Sequence, residues 1–495
     1  MHEDADLILA IDQGTTGTTA LIVDRTLHIL ARANREFPQH FPKPGWVEHD
    51  PDDLWVSVCT TIAEVLARGE VDPRRIAAIG ITNQRETSLI WDRASGRAIH
   101  RALVWQDRRT ADACAELKRA GHEDRVREQT GLVLDPYFSA TKLAWVLDHV
   151  EGARAAAESG KLAAGTVDTY LVWRLTCGAA HRTEPSNASR TLLWPLAGDG
   201  WSAALCELLR VPAALLPEVV PCTARFGETR KVPGLPDGIP IHGIAGDQQA
   251  ALFGQACFAP GEAKCTYGTG AFVMLNTGER PVPSRHGLLT TVGWQIDGRT
   301  TYCLEGSAFM AGAVVQWLRD GLQIIERASD IEALARQVES SDGVVLVPGH
   351  AGLGAPHWRP EARGLISGLT RGTTRAHLAR AALEGIALQI TDLLEAMAAD
   401  HGAPLSSLRV DGGAAGNDLL MQLQCDLLGV PLDRPTTLET TALGAVFLAG
   451  LGAGVWPDTD TLRATWQRDR RFEPTADPAR IDALKAAWKR AVACA

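Results

Sequence analysis

The chain has no C-x-x-C pair: its ten cysteines stand singly, the nearest two being Cys257 and Cys265. That excludes a zinc ribbon and a legible disulfide framework and assigns the cysteines to reduced, mostly core positions. A G-x-x-x-x-G-K-[ST] loop and a strict G-x-G-x-x-G are both missing, so P-loop and dinucleotide-binding readings lose their best evidence. The 14 histidines form no H-E-x-x-H or H-x-x-x-H with a metal partner. Positive charge is not in excess, with 49 Lys+Arg against 59 Asp+Glu and a net charge of −10. A broad basic face for nucleic acid or an anionic membrane is therefore not expected. No long apolar run is present either. Thr440 to Pro457 carries no charge, but Gly444, Gly450, Gly452 and Gly454 interrupt it. Its apolar part falls short of the ~20 residues a span requires, so a buried helix is expected. The opening Met1-His2-Glu3-Asp4-Ala5-Asp6 is acidic and lacks a basic n-region, which points to a cytoplasmic protein. Low-complexity tracts and short-period repeats are absent.

What is there is ordinary globular composition, 45% apolar and 22% charged over 495 residues, enough for two or three domains with full cores. Leu7-Ile8-Leu9-Ala10-Ile11 is a continuous apolar run ending in Asp12 and reads as a strand buried on both faces. A Gly/Thr-rich turn, Gln13 to Thr18, leads to a strand over Thr19 to Val23 and a third around Leu27 to Ala33. Ile76 to Thr82 and Arg101 to Trp105 are further short strands running into polar clusters. The same grammar returns at Ala263 to Tyr267, Gly268-Thr269-Gly270 and Ala271 to Leu275. Two copies some 250 residues apart suggest two similar α/β domains, over 1–254 and 255–495, with the Pro/Gly-rich stretch Val232 to Pro240 just before the junction. Leu383, Ile386, Ala387, Ile390, Leu393, Leu394 and Met397 mark a core-facing helix.

Three glycine-rich turns stand out: Gly14-Thr15-Thr16-Gly17, Gly268-Thr269-Gly270 and Asp411-Gly412-Gly413-Ala414. Glycine lets backbone N–H groups approach a polyphosphate and threonine adds hydroxyl donors, although each turn alone is also what a tight hairpin needs. Together they suggest a nucleotide clamp between two domains. Asp12 closes a strand beside the first turn, where it can serve the hydration shell of Mg²⁺ or cap an Asx turn. Asp247 stands where an apolar strand gives way to a helix and is also a candidate N-cap. Arg85 and Glu86 end a strand. Successive strand residues face opposite sides, so both can touch one ligand only if the backbone turns there; otherwise they form an ion pair of little worth. Trp105 and Tyr137 fit core packing or a ligand wall.

Asp12 to Gly17, Phe41 to Asp50, Gly80 to Thr87, Val104 to Thr110, Gly246 to Gly254, Tyr267 to Gly270, Gly352 to Pro356 and Val410 to Gly413 together resemble the FGGY family of carbohydrate kinases. The likeness runs from about Leu7 to Leu451. The Arg85-Glu86 and Asp247-Gln248 pairs resemble the glycerol-specific branch rather than the pentulose-specific one. The resemblance implies two actin-like (ribonuclease-H-type) domains with an active-site cleft between them, the first binding polyol and the second nucleotide. It implies ATP-dependent phosphorylation of glycerol to sn-glycerol 3-phosphate with Mg²⁺, in a cytoplasmic homo-oligomer, dimer or tetramer. Carried over by motif, Arg85, Glu86, Asp247 and Gln248 would hold glycerol hydroxyls, and Trp105, Tyr137 and Phe272 would wall its carbon chain. Thr15, Thr16, Gly17, Thr269, Gly312, Gln316, Gly413 and Asn417 would meet the nucleotide, Asp12 would serve Mg²⁺, and Asp247 would be the general base.

Three departures limit the transfer. Thr19 stands where many relatives carry arginine, so no cationic phosphate contact is carried over there. Thr183 to Thr191 differs from the family's pattern and receives no site role. Arg230 to Pro240 does not resemble the Gly-rich loop tied to sugar-bisphosphate feedback in some relatives. Two alternatives stay open on the sequence: a kinase of another polyol or ketose on the same fold, and an actin-like ATPase assembly or chaperone module.

Overall fold

The computed structural model describes residues 5–359 and 361–495; the acidic opening, residues 1–4, lies outside them. The first sheet contains β1 (Leu7–Gln13), β2 (Gly17–Val23), β3 (Ile29–Glu36), β4 (Ile76–Asn83), β5 (Arg225–Glu228) and β6 (Pro240–Gly246). Its order is β5-β6-β4-β1-β2-β3. β1 runs antiparallel to β2 and parallel to β4. A central strand has both faces covered, which is why its apolar run is unbroken. Leu7, Leu9 and Ile11 join one core and Ile8 and Ala10 another, as the period of two demands. Helix α1 (Pro51–Gly69) covers the first face, started by the Asp50 cap and Pro51.

The second sheet repeats the plan. Its strands are β7 (Ala263–Tyr267), β8 (Ala271–Gly278), β9 (Leu289–Ile296), β10 (Arg299–Ala308), β11 (Leu408–Asp411), β12 (Leu432–Pro435) and β13 (Arg468–Phe472). Their order is β9-β10-β8-β7-β11-β12-β13. The core β10-β8-β7-β11-β12 has the pairing sense of β3-β2-β1-β4-β6: an antiparallel meander, then two parallel strands on the other side of the first. This is the duplicated ribonuclease-H-type plan.

Two sequence expectations change. The strand over Arg101 to Trp105 shrinks to Ala102–Leu103, leaving Trp105 in a turn. The third strand starts at Ile29 and runs on to Glu36. Val232 to Pro240 leads from the edge strand β5 to its neighbour β6, which begins at Pro240. A small separate sheet combines Glu48–His49, which precedes α1, with Ala102–Leu103, Ser88–Asp92 and Leu162–Thr166 of the insertion after β4.

Four more helices place the site: α2 (Asp247–Gly254), α3 (Gly312–Asp320), α4 (Arg375–His401) and α5 (Asp418–Leu428). The seven apolar residues expected to face the core from α4 are all buried. A sixth, α6 (Thr440–Gly452), is the expected buried helix. It rests on β4 and β6 of the first sheet and crosses α2. At the crossing Gly254 abuts Thr440 O and Gly444 abuts Ala250 O, so the helices approach more closely than any side chain allows. No helix of the described residues is long and apolar enough to cross a membrane.

Candidate functional site

The first Gly/Thr turn is held from behind. Gly14 N–H donates to Gly17 O at 2.9 Å. Gln84 Nε2 donates to Gly14 O, and Gln39 Nε2 to Thr15 O, each at 2.9 Å. Trp105 Nε1 donates to Thr15 Oγ1 at 2.8 Å. Buried His49 bonds Gln39 Oε1 at 2.7 Å. The N–H groups of Thr15 and Thr16 meet no acceptor among the described residues, as a cradle for an anion requires. Gly17 pairs with Glu36, and a Cβ there would lie 2.7 Å from Arg35 O; a close strand approach explains that glycine. Thr19 is buried and accepts from Asn34 Nδ2 at 2.9 Å.

The second turn meets the start of α3. Gly312 N–H donates to Gly268 O, and Ala311 and Ala313 N–H to Thr269 O, at 2.9–3.0 Å. Thr269 and Gln316, the latter one helical turn beyond Gly312, are exposed. Beside them Gly412, at φ +84, lies against Tyr267 O. Asn417 caps α5 by accepting from Leu420 N at 2.9 Å. The five expected contacts Thr269, Gly312, Gln316, Gly413 and Asn417 thus come from one neighbourhood of the second sheet.

A dense polar cluster gathers around Arg85. The backbone does turn after Arg85: Thr87 N–H donates to Arg85 O at 2.6 Å, with Glu86 at φ 59. Such a φ is strained for a non-glycine residue, and here it lets both side chains point inward. Arg85 Nε lies 3.1 Å from Asp247 Oδ1, and its Nη2 donates to Tyr137 Oη at 3.3 Å. Trp105 packs edge-on against Tyr137 and Phe272 at 5.6 and 6.4 Å, so the three expected wall residues meet, one of them from the second sheet. Asp247 is the first residue of α2; Gly246 is the N-cap. The carboxylate accepts from Gln248 N at 2.7 Å and is 31% exposed, so the alternative of a capping aspartate does not hold.

Asp12 is half-buried at the end of β1. Burial, then the charges of Asp247 and Glu439, push its pKa up to about 8 against the opposing Arg32. Arg32 itself pairs with Glu439 at 2.9 Å. Asp12, its proton affinity raised by burial and by the neighbouring carboxylates, fits a hydrated divalent cation, which takes one or two carboxylates and completes its shell with water and phosphate. Among the described residues no three His, Cys, Asp or Glu groups gather into an all-protein cage.

Several residues here carry no sequence signal. Glu305 of β10 and Arg190 are buried against Arg85 and Glu86. Arg190 belongs to Thr183 to Thr191, so that segment does hold the site. Asn187 and Asn83 exchange amide bonds at 3.0 Å, and Ser186 Oγ accepts from Gly246 N at 3.0 Å. Lys264, also buried, donates to Gln248 Oε1 at 2.5 Å, and burial lowers its pKa. Lysine can only donate, so the Gln248 amide nitrogen is left for a ligand acceptor.

Known proteins resemble this chain over almost its whole length. The N-terminal domain of the FGGY family of carbohydrate kinases matches residues 7–254, and its C-terminal domain matches residues 263–453. The chain is 59% identical to a glycerol kinase of Myxococcus xanthus, with 99% of each chain covered. It is 57% identical to a glycerol kinase of Bordetella parapertussis, covering 98% of this chain and 96% of that one. A crystal structure of Plasmodium falciparum glycerol kinase with ADP superposes with a TM-score of 0.92 at 35% identity, covering 99% and 98% of the two chains. A ligand-bound xylulose kinase from Lactobacillus acidophilus gives 0.88 at 21% identity over 99% and 97%, a likeness of fold alone.

Proposed function

The chain belongs to the FGGY family of carbohydrate kinases, and from that membership we infer that it transfers the γ-phosphoryl group of ATP to glycerol. The observation that carries the reading is the convergence of Arg85, Glu86 and Asp247 inside the wall of Trp105, Tyr137 and Phe272. The first half of the chain, 1–254, holds the polyol through Arg85, Glu86, Asp247, Gln248, Trp105 and Tyr137, with Phe272 of the second half completing the wall; the second half, 255–495, holds the nucleotide. Thr15, Thr16 and Gly17 face Thr269, Gly312, Gln316, Gly413 and Asn417 across the phosphates.

Asp247 is the general base. Its carboxylate takes the proton of the acceptor hydroxyl as that oxygen bonds to the γ-phosphorus and the bond to the bridging oxygen breaks, releasing ADP and sn-glycerol 3-phosphate. Arg85, 3.1 Å away, keeps the carboxylate oriented. Asp12 would hold Mg²⁺, which when bound supplies positive charge to the phosphates. A cytoplasmic location and a homo-oligomer, dimer or tetramer, complete the reading; light scattering checks the assembly.

A coupled ADP-release assay over an acceptor panel tests the activity. A site built to hydrogen-bond a hydroxyl rejects the analogue lacking it by about 10⁴–10⁵-fold. Glycerol should therefore far exceed 1,2-propanediol and xylulose; comparable kcat/KM on xylulose would refute the acceptor assignment.

A further inference from the structure

Four buried side chains close a ring of alternating charge around Arg85 and Glu86. Glu305 takes Arg85 Nη1 on Oε2 at 2.5 Å and Nη2 on Oε1 at 3.0 Å. The same Oε1 takes Arg190 Nη2 at 2.9 Å. Arg190 Nε donates to Glu86 Oε1 at 2.6 Å, and Glu86 Oε1 stands 3.8 Å from Arg85 Nε. No side chain in the ring is more than 2% exposed. Two positive and two negative charges balance, which is the condition for burying them. Burial alone would raise the Glu305 pKa, yet Arg190 and Arg85 hold it down to about 2.

The four do not have the same freedom. Both oxygens of Glu305 are occupied by arginines, and Arg190 is wholly buried, its guanidinium 5.5 and 5.2 Å from the ring centres of Tyr137 and Phe138. Glu86, by contrast, keeps Oε2 free of any hydrogen bond among the described residues. Glu305 grips the Nη edge of Arg85, leaving the Nε edge toward Asp247.

We propose that Arg190 and Glu305 are the positioning residues of acceptor recognition: Arg190 orients Glu86 so that Oε2 meets a polyol hydroxyl, and Glu305 orients the Arg85 fork. This rests on the glycerol reading. Wild-type turnover on glycerol, measured first, separates a failure of that reading from a failure of this one.

In Glu305→Gln and Arg190→Lys the kcat/KM for glycerol should fall by about 10²-fold, chiefly through a higher glycerol KM, the cost of misplacing a positioning group. The ATP KM should stay unchanged, and the preference for glycerol over 1,2-propanediol should shrink. A structural role alone would lower the active fraction, and so kcat, while leaving both KM values and the preference intact. A folded variant with the wild-type glycerol KM overturns the proposal. Where a variant does not fold, the wild-type glycerol complex decides. A hydroxyl about 2.7 Å from Glu86 Oε2, and none within about 3.2 Å of Arg190 or Glu305, is expected; a hydroxyl bonded to either of those two overturns it.

Discussion

Asparagine at position 247 would keep the shape of the side chain and remove its proton-accepting oxygen. A positioned base contributes about 10²–10⁴-fold, so Asp247→Asn should lose turnover by that factor. ATP affinity should persist, because the Thr269 and Gly312 neighbourhood is built independently of it. A charge acting only on the helix dipole would contribute about 0.3–1 kcal/mol of stability and leave turnover near normal. The coupled assay and calorimetric ATP titration separate the two. At His49, burial and then the neighbouring His40 hold the pKa down to about 3. Between about pH 3 and the ordinary histidine value of about 6.5, the unfolded chain therefore binds a proton that the folded one refuses. Stability rises with pH across that window and is lost on acidification. His49→Gln removes the titration, so the Tm difference between about pH 5 and about pH 7 should narrow. An unchanged difference would assign the acid sensitivity to other groups.

The crossing of α2 and α6 joins catalysis to packing, because α2 opens with Asp247 and packs at its far end on a helix from the other half of the chain. Gly444 has no room for a Cβ against the Ala250 carbonyl. Overpacking of this kind costs about 1–3 kcal/mol, so Gly444→Ala should lower Tm and, by tilting α2, turnover as well. Gly200→Ala, where an added Cβ meets nothing within 4 Å, is the matched control and should leave both unchanged. Equal melting of the two variants would show that α2 and α6 can separate without loss.

Across the whole molecule, the aromatic wall draws on both halves of the chain, Trp105 packing edge-on against Phe272. A ligand that binds both sides favours the closed arrangement by its differential affinity. Small-angle scattering should show a smaller radius of gyration with a non-hydrolysable ATP analogue plus glycerol. An unchanged profile at demonstrated saturation would mean that the lobes do not move.

Much of this was legible in local chemistry. The run from Leu7 to Ile11 could only be a strand covered on both faces, the Gly/Thr turns announced both hairpins, and the spacing of Leu383, Ile386, Ile390 and Met397 announced α4. Each rests on neighbours within a few residues, so periodicity and turn chemistry suffice. The Arg85–Glu305 and Arg190–Glu86 pairs join residues 220 and 104 positions apart, and nothing local in Thr301 to Ser307 or Ser189 to Thr191 marks a partner. Whether a charge is solvated or buried and paired depends on what the fold brings against it. The inward turn at Glu86 likewise exists because the surrounding packing sustains a strained φ. The chain's own pattern determined the sheets and the turns; the folded molecule alone decided which charges face one another, because long-range electrostatic pairing leaves no period in a sequence.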